Sequence, residues 1–137
     1  MMSKEIAGSC LCGKVRFTIW GPFSAFHLCH CSRCRKDTGS AHASNIFTEP
    51  GNIRWLSGEE IVQRYDLPTA ERFAKCFCRE CGSPVPYLSR DHKFLIIPAG
   101  SLDADPDVRP QDHIFWQDRA DWYEAGLAAV HFDGYPK

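Results

Sequence analysis

The sequence predicts a small, mainly β domain stapled by metal, and three observations carry that expectation. Apolar residues recur in short runs, with no helical period of convincing length. Ten glycines and nine prolines punctuate those runs where turns belong. Eight cysteines fall in tight groups whose spacing suits metal coordination in a reducing compartment better than a disulfide framework. At 137 residues the chain is expected to form one domain, residues 1–137, large enough for a core yet small enough to profit from staples.

The elements follow in order. After the motif GSCLCGK, Val15, Phe17 and Ile19 share one face of residues 14–19 while Lys14, Arg16 and Thr18 share the other, as a half-buried strand requires. Gly21-Pro22 ends it. Residues 26–29 form a short extended run into CHCSRCRK, and the residues after Cys31 suit one turn of helix before Gly39. Residues 41–47, 53–57 and 61–66 read as short strands, separated by the turn sequences EPGN and Ser57-Gly58. Residues 72–77 lead into CFCRECGS. The run FLIIPAG, residues 94–100, is apolar on both faces and is expected to be a central buried strand with residues 113–116 as its partner. The tail, residues 118–137, holds Trp122, Tyr123 and Tyr135 without a clear period. The whole therefore reads as mostly antiparallel.

Charge narrows the function classes. Sixteen basic and 17 acidic side chains give a net charge of -1 and a pI near 6.6, so there is no basic footprint for nucleic acid. The opening MMSKEIAGSC carries no apolar signal region, and no apolar run is long enough to cross a bilayer. The expectation is a soluble, cytoplasmic chain without a membrane partner.

The cysteines sort into sites by their neighbours. Cys10 and Cys12, and Cys78 and Cys81, each form a pair followed by glycine, which lets the chain turn tightly and aim backbone N–H groups at sulfur. Coupling these two pairs gives one closed tetrathiolate zinc site, a structural staple whose binding free energy is folding free energy. Cys29, Cys31 and Cys34 can converge on a second ion from a single turn, each sulfur ~2.3 Å from it. Two readings stay open for this triplet. Either His27, His30 or Cys76 closes it as fourth ligand, or the fourth position is free for water or substrate, as in catalytic zinc. Three thiolates around Zn²⁺ leave about one net negative charge, which Arg33, Arg35 and Lys36 are placed to offset; the plain alternative for those bases is a solvated face. Cys76 suits a small buried hydrophobe.

The ordered segments GSCLCGKVRF, CHCSRCRKDTGSAH, FCRECGS, AGSLD and HIFWQDRADWY, spanning residues 8–124, closely resemble the glutathione-dependent formaldehyde-activating enzyme family, whose domain also occurs in centromere protein V. The resemblance implies a small, mainly β zinc domain of several coiled antiparallel sheets, with two zinc ions per chain. It implies that Cys10, Cys12, Cys78 and Cys81 hold a structural zinc, and that Cys29, Cys31 and Cys34 hold a catalytic one. The implied activity is that of a carbon–sulfur lyase adding glutathione, or a similar small thiol, to formaldehyde or another aldehyde. On that reading His30 or Asp37 is the expected general acid or base, and Arg35 and Lys36 are expected to pair with glutathione carboxylates. His113, Arg119 and Trp122 are candidates for the pocket, with packing as the alternative. The rival from another class is a non-catalytic zinc-structured binding module, in which four protein ligands close the second site.

Overall fold

The computed structural model describes residues 4–136. Residues 1–3 of the opening segment, and Lys137 at the end of the tail, lie outside the described residues. The chain is a small, mainly β domain, whose described residues form three sheets and two short α-helices.

Strands β1 (Ile6–Ser9) and β2 (Arg16–Ile19) form an antiparallel hairpin, and β5 (Ile53–Ser57) adds to the other edge of β2. The alternation seen in the sequence has its consequence here, because Val15, Phe17 and Ile19 are fully buried while Arg16 faces solvent. A second sheet, in the order β11-β3-β4-β10-β9, combines β3 (Ala25–Cys29), β4 (Ala43–Thr48), β9 (Tyr87–Leu88), β10 (Leu95–Pro98) and β11 (Asp112–Ile114). The third contains β6 (Val62–Asp66), β7 (Ala74–Cys78) and β8 (Pro84–Val85). Phe17 and Ile19 of the first sheet pack with Ile46, Leu95 and Ile97 of the second to make the main core. Burying such side chains stabilises the fold by roughly 1.5–3 kcal/mol each before entropy is counted.

The apolar run expected as a strand over 94–100 forms a buried interior strand over Leu95–Pro98, with β4 on one edge and β9 on the other; Phe94 is exposed and Ala99–Ser101 turn away as a 3-10 helix. Its expected partner is corrected. Leu95 pairs with Thr48 and Leu88, so both edges of β10 are taken, and residues 112–114 instead run parallel to β3, with His113 opposite Leu28. The polar alternation of that segment suits a sheet edge, and Asp112 anchors it through a 2.6 Å contact with His27 Nδ1. This is the one parallel pairing among the described strands.

Helix α1 (Ser32–Thr38) is longer than the single turn expected, and its ends explain why it forms. Cys31 caps the start through its sulfur, and Gly39, left-handed at φ 63°, returns its amide to the Arg35 carbonyl at the end. The tail holds the five-residue α2 (Tyr123–Leu127). No helix among the described residues is long and apolar enough to cross a membrane.

Candidate metal centres and the adjoining cavity

The first centre is assembled from two loops of the same construction. After β1, the Cys10 amide donates to the Val15 carbonyl at 3.0 Å and the Gly13 amide to the Cys10 carbonyl at 3.2 Å. At the end of β7, the Cys78 amide donates to Ser83 at 3.0 Å and the Gly82 amide to the Cys78 carbonyl at 2.7 Å. Gly13 and Gly82 sit at φ 81° and 78°, a left-handed backbone that a side chain would strain. Each loop also aims an N–H at its first sulfur: Val15 at Cys10 Sγ and Glu80 at Cys78 Sγ, both 3.3 Å. The loops clasp one another through Lys14 and Glu80, 3.0 Å apart, and through the Leu11 amide, which donates to Ser83 Oγ at 3.1 Å.

The four sulfurs of Cys10, Cys12, Cys78 and Cys81 lie within 4.8 Å of one another, with Cys10 to Cys12 at 3.5 Å and Cys12 to Cys78 at 3.9 Å. A tetrahedron of sulfurs ~2.3 Å from a central ion has edges of ~3.8 Å, so this donor set fits a metal of zinc's size. The Ser83 hydroxyl beside Cys81 holds that thiol down to about 5, the direction a metal ligand needs.

The second group is Cys29, Cys31 and Cys34, again with sulfurs within 4.8 Å. Strand β3 ends at Cys29, Cys31 caps α1 while accepting the Cys34 amide at 3.4 Å, and Cys34 lies in the first turn. Fold and ligand geometry are thus set by the same few bonds. The hydrogen bond to Cys34 holds the Cys29 thiol down to about 6 and pushes Cys34 up, so the sulfurs compete for protons where a cation would satisfy all three. No fourth histidine, cysteine or carboxylate joins the group among the described residues. Of the three candidates for that role, His27 is engaged by Asp112, His30 by His113, and Cys76 lies apart in the wall of a cavity.

That cavity, about 290 Å³, opens directly on the three sulfurs. Helix α1 contributes Arg33 and Asp37, β4 contributes Ala43 and Phe47, and β7 with the residues before it contributes Arg72, Phe73, Lys75 and Cys76. Asp37 forms an ion pair with Lys75, joining α1 to β7. Tyr87 also lines it, its phenol pushed far above the usual range by burial.

Asp37 therefore lies where the triplet does, while His30, Arg35 and Lys36, and the pocket candidates His113, Arg119 and Trp122, do not line the cavity. His30 is fully buried on another side of the Cys29–Cys31 turn: its Nε2 lies 2.9 Å from His113 Nδ1, its ring packs against His42, Trp116 and Tyr123, and burial lowers its pKa. Arg35 donates to the Asp118 carbonyl at 3.2 Å, and Lys36 is exposed. His113 and Trp116 belong to the packing around His30, Arg119 stacks over Trp116 at 4.4 Å, and Trp122 faces solvent. From that segment only Phe115 reaches the cavity. Arg72, Phe73 and Lys75 escaped the sequence reading; the one signal available was a charge at Lys75 between the small buried residues Ala74 and Cys76.

Comparison with known proteins follows the same lines. The family profile described as glutathione-dependent formaldehyde-activating enzyme matches residues 5–118. A protein of Halomonas elongata, provisionally assigned as a glutathione-dependent formaldehyde-activating enzyme, is 27% identical over 139 residues, covering 96% of this chain and 88% of that protein. A crystal structure of a Rhodobacter sphaeroides protein superposes with a TM-score of 0.60 at 22% identity, covering 79% of this chain and 99% of the other, which shows a shared fold.

Proposed function

This chain belongs to the glutathione-dependent formaldehyde-activating enzyme family, and on that footing we propose that it is a zinc-dependent carbon–sulfur lyase. It would join glutathione, or a similar small thiol, to formaldehyde or another aldehyde as an S-hydroxymethyl type of adduct. The observation that carries this reading is that Cys29, Cys31 and Cys34, with no fourth donor among the described residues beside their sulfurs, line the 290 Å³ cavity. A binding module with a closed second site would need that fourth donor.

In this reading Cys10, Cys12, Cys78 and Cys81 hold a structural zinc, and Cys29, Cys31 and Cys34 hold the second. When bound there, zinc supplies Lewis acidity that favours a thiolate or polarises a carbonyl oxygen. The chain's own residues do the rest. Arg33 and Arg72, both exposed at the cavity, receive the carboxylates of the thiol. Asp37, held by Lys75, takes the thiol proton. As the sulfur–carbon bond forms, the carbonyl π pair moves onto oxygen, and the proton returns there. His30 acts through packing, fixing the turn that carries Cys29 and Cys31, and Arg35 and Lys36 act at most through their charge. The cytoplasm, where thiols stay reduced, is the fitting compartment.

The test is an exchange measurement by NMR on glutathione and formaldehyde, with zinc-loaded protein and without, corrected for the spontaneous reaction. Acceleration above background is expected; none at saturating protein overturns the lyase reading.

A further inference from the structure

Resting on that lyase reading, we infer that the carbonyl partner is larger than formaldehyde: the cavity fits an aldehyde bearing a branched aliphatic or aromatic group, joined to an anionic thiol as a hemithioacetal. The lining is layered. Of its cations, Arg33 and Arg72 are exposed and Lys75 is half-buried and paired with Asp37, whereas Ala74, Val85 and Ile96 are buried and Phe73 is half-buried. The rim is cationic and the floor apolar. The charged arms of a peptide thiol match the rim. Nothing in such a thiol matches the floor.

The apolar surface begins at the reaction centre itself. Phe73 packs against the cluster of Cys29, Cys34 and Ala43, so a substituent on a carbon held beside those sulfurs meets this ring first. Formaldehyde has no substituent to offer. Its two heavy atoms would occupy little of a 290 Å³ space, which equals the share of about ten waters in the liquid. Water left over the apolar floor is displaced favourably by hydrocarbon, roughly fourfold in binding for each buried methylene.

Phe115 gives an independent indication. Its backbone is left-handed, at φ 55° and ψ 40°, a conformation that an aromatic residue rarely adopts. The consequence is that a 56% exposed ring takes part in the cavity lining. Strain maintained to place an apolar ring at a cavity mouth suits an apolar ligand. Asp37 and Lys75, both partly buried in the wall, pair with one another.

The chemistry balances without a further reactant. The thiol sulfur forms a bond to the aldehyde carbon, the carbonyl π pair moves to oxygen, and that oxygen takes the proton the thiol has lost.

The experiment uses the full zinc-loaded chain with glutathione and four aldehydes: formaldehyde, acetaldehyde, 3-methylbutanal and benzaldehyde. For each, the catalysed rate constant is divided by the spontaneous one. Alongside, saturation-transfer NMR compares benzamide with formamide as unreactive probes. The ratio is expected to rise at least tenfold from formaldehyde to 3-methylbutanal, and benzamide alone to bind. Phe73→Ser should abolish benzamide binding with the fold and zinc content kept, and Phe73→Leu should restore it. Acceleration confined to formaldehyde, with no benzamide bound, overturns this inference and leaves the lyase reading standing. No acceleration with any aldehyde overturns the lyase reading and this inference with it.

Discussion

Cys12 and Cys78, 66 positions apart in the chain, bring their sulfurs to 3.9 Å. That contact joins the turn after the first strand to the end of β7, and through them the first sheet to the third. The clasp between Lys14 and Glu80 sits at the same junction, but both side chains are largely exposed. Water and salt screen an exposed ion pair, so it contributes little. Metal binding at a tetrathiolate contributes ~10 kcal/mol or more. With a metal bound as proposed, the sulfurs add far more than the surface charges to the apolar contacts that join these sheets.

The two centres should therefore fail differently. Cys81→Ser is expected to compromise folding, seen as loss of a cooperative thermal transition. Cys31→Ser is expected to keep the fold and lower zinc from two ions per chain toward one, measured by metal analysis of purified protein. Equal loss of structure in both would contradict the division into a structural and a reactive centre.

Strand β1 meets the loop after β10 at Gly8, which bridges to Leu102. A Cβ built at Gly8 would lie 2.7 Å from the Phe17 ring and 2.7 Å from the Ser101 carbonyl oxygen. Both neighbours are fixed, one in the core and one in the backbone. Gly8→Ala should cost ~1–3 kcal/mol by overpacking, lowering Tm by roughly 4–12 °C. Thermal unfolding checks it, and an unchanged Tm would show that the sheets can part there.

What was legible in the sequence follows local rules. Alternation placed Val15, Phe17 and Ile19 inward, apolarity on both faces marked residues 94–100, of which 95–98 form an interior strand, and cysteine spacing grouped seven sulfurs as the structure groups them. What escaped depends on contacts across the chain. The expected pairing of residues 113–116 with the 94–100 run fails because a strand's edge partner is not written in its own residues; the observed strand 112–114 joins β3, and its His27–Asp112 contact spans 85 positions. Arg35 and Lys36 drew attention through nearness in sequence to the triplet. On a helix two positions rotate a side chain by roughly 200°, so Arg35 leaves the face that Arg33 and Asp37 share toward the cavity, and Lys36 is exposed outside the lining. Arg72 and Lys75 enter only because β7 passes the triplet.

His30, a buried ring outside the cavity lining, is expected to act on the Cys29, Cys31 and Cys34 site through the turn that carries them. It is enclosed, and besides the contact of its Nε2 with His113 its backbone amide donates to the Ile114 carbonyl at 3.0 Å. His30→Ala should weaken zinc at Cys29, Cys31 and Cys34 by ~10–100-fold, the usual effect of an outer partner. Competition with a chromogenic chelator measures this. An unchanged affinity combined with lost activity would instead return His30 to the chemistry.

Asp37 and Lys75 form their pair in the cavity wall, with about a sixth and a quarter of their side chains exposed, 17% and 24%. If Asp37 carries the proton, Asp37→Asn should lower kcat by ~10²–10⁴-fold while KM for glutathione and zinc content stay near wild type. Steady-state kinetics above the spontaneous background separates the two constants. A rise in KM alone would make Asp37 a binding group.

Arg33 and Arg72 both line the cavity and both are exposed. Exposed guanidinium groups attract carboxylates through water and salt, where a contact contributes ~1 kcal/mol. Arg72→Gln should therefore raise KM for glutathione about fivefold and leave kcat nearly unchanged, since the same attraction acts in the ground state and the transition state. Salt should imitate the mutation, because screening sets in over ~8 Å at physiological ionic strength. Raising salt should increase KM for glutathione in the wild type and much less in the double variant Arg33→Gln, Arg72→Gln. Cysteamine, a thiol without a carboxylate, is the control: its KM should respond neither to the substitutions nor to salt. If cysteamine and glutathione respond alike, these arginines serve the cavity's shape or the charge of the sulfur centre, and the thiol's carboxylates are held elsewhere.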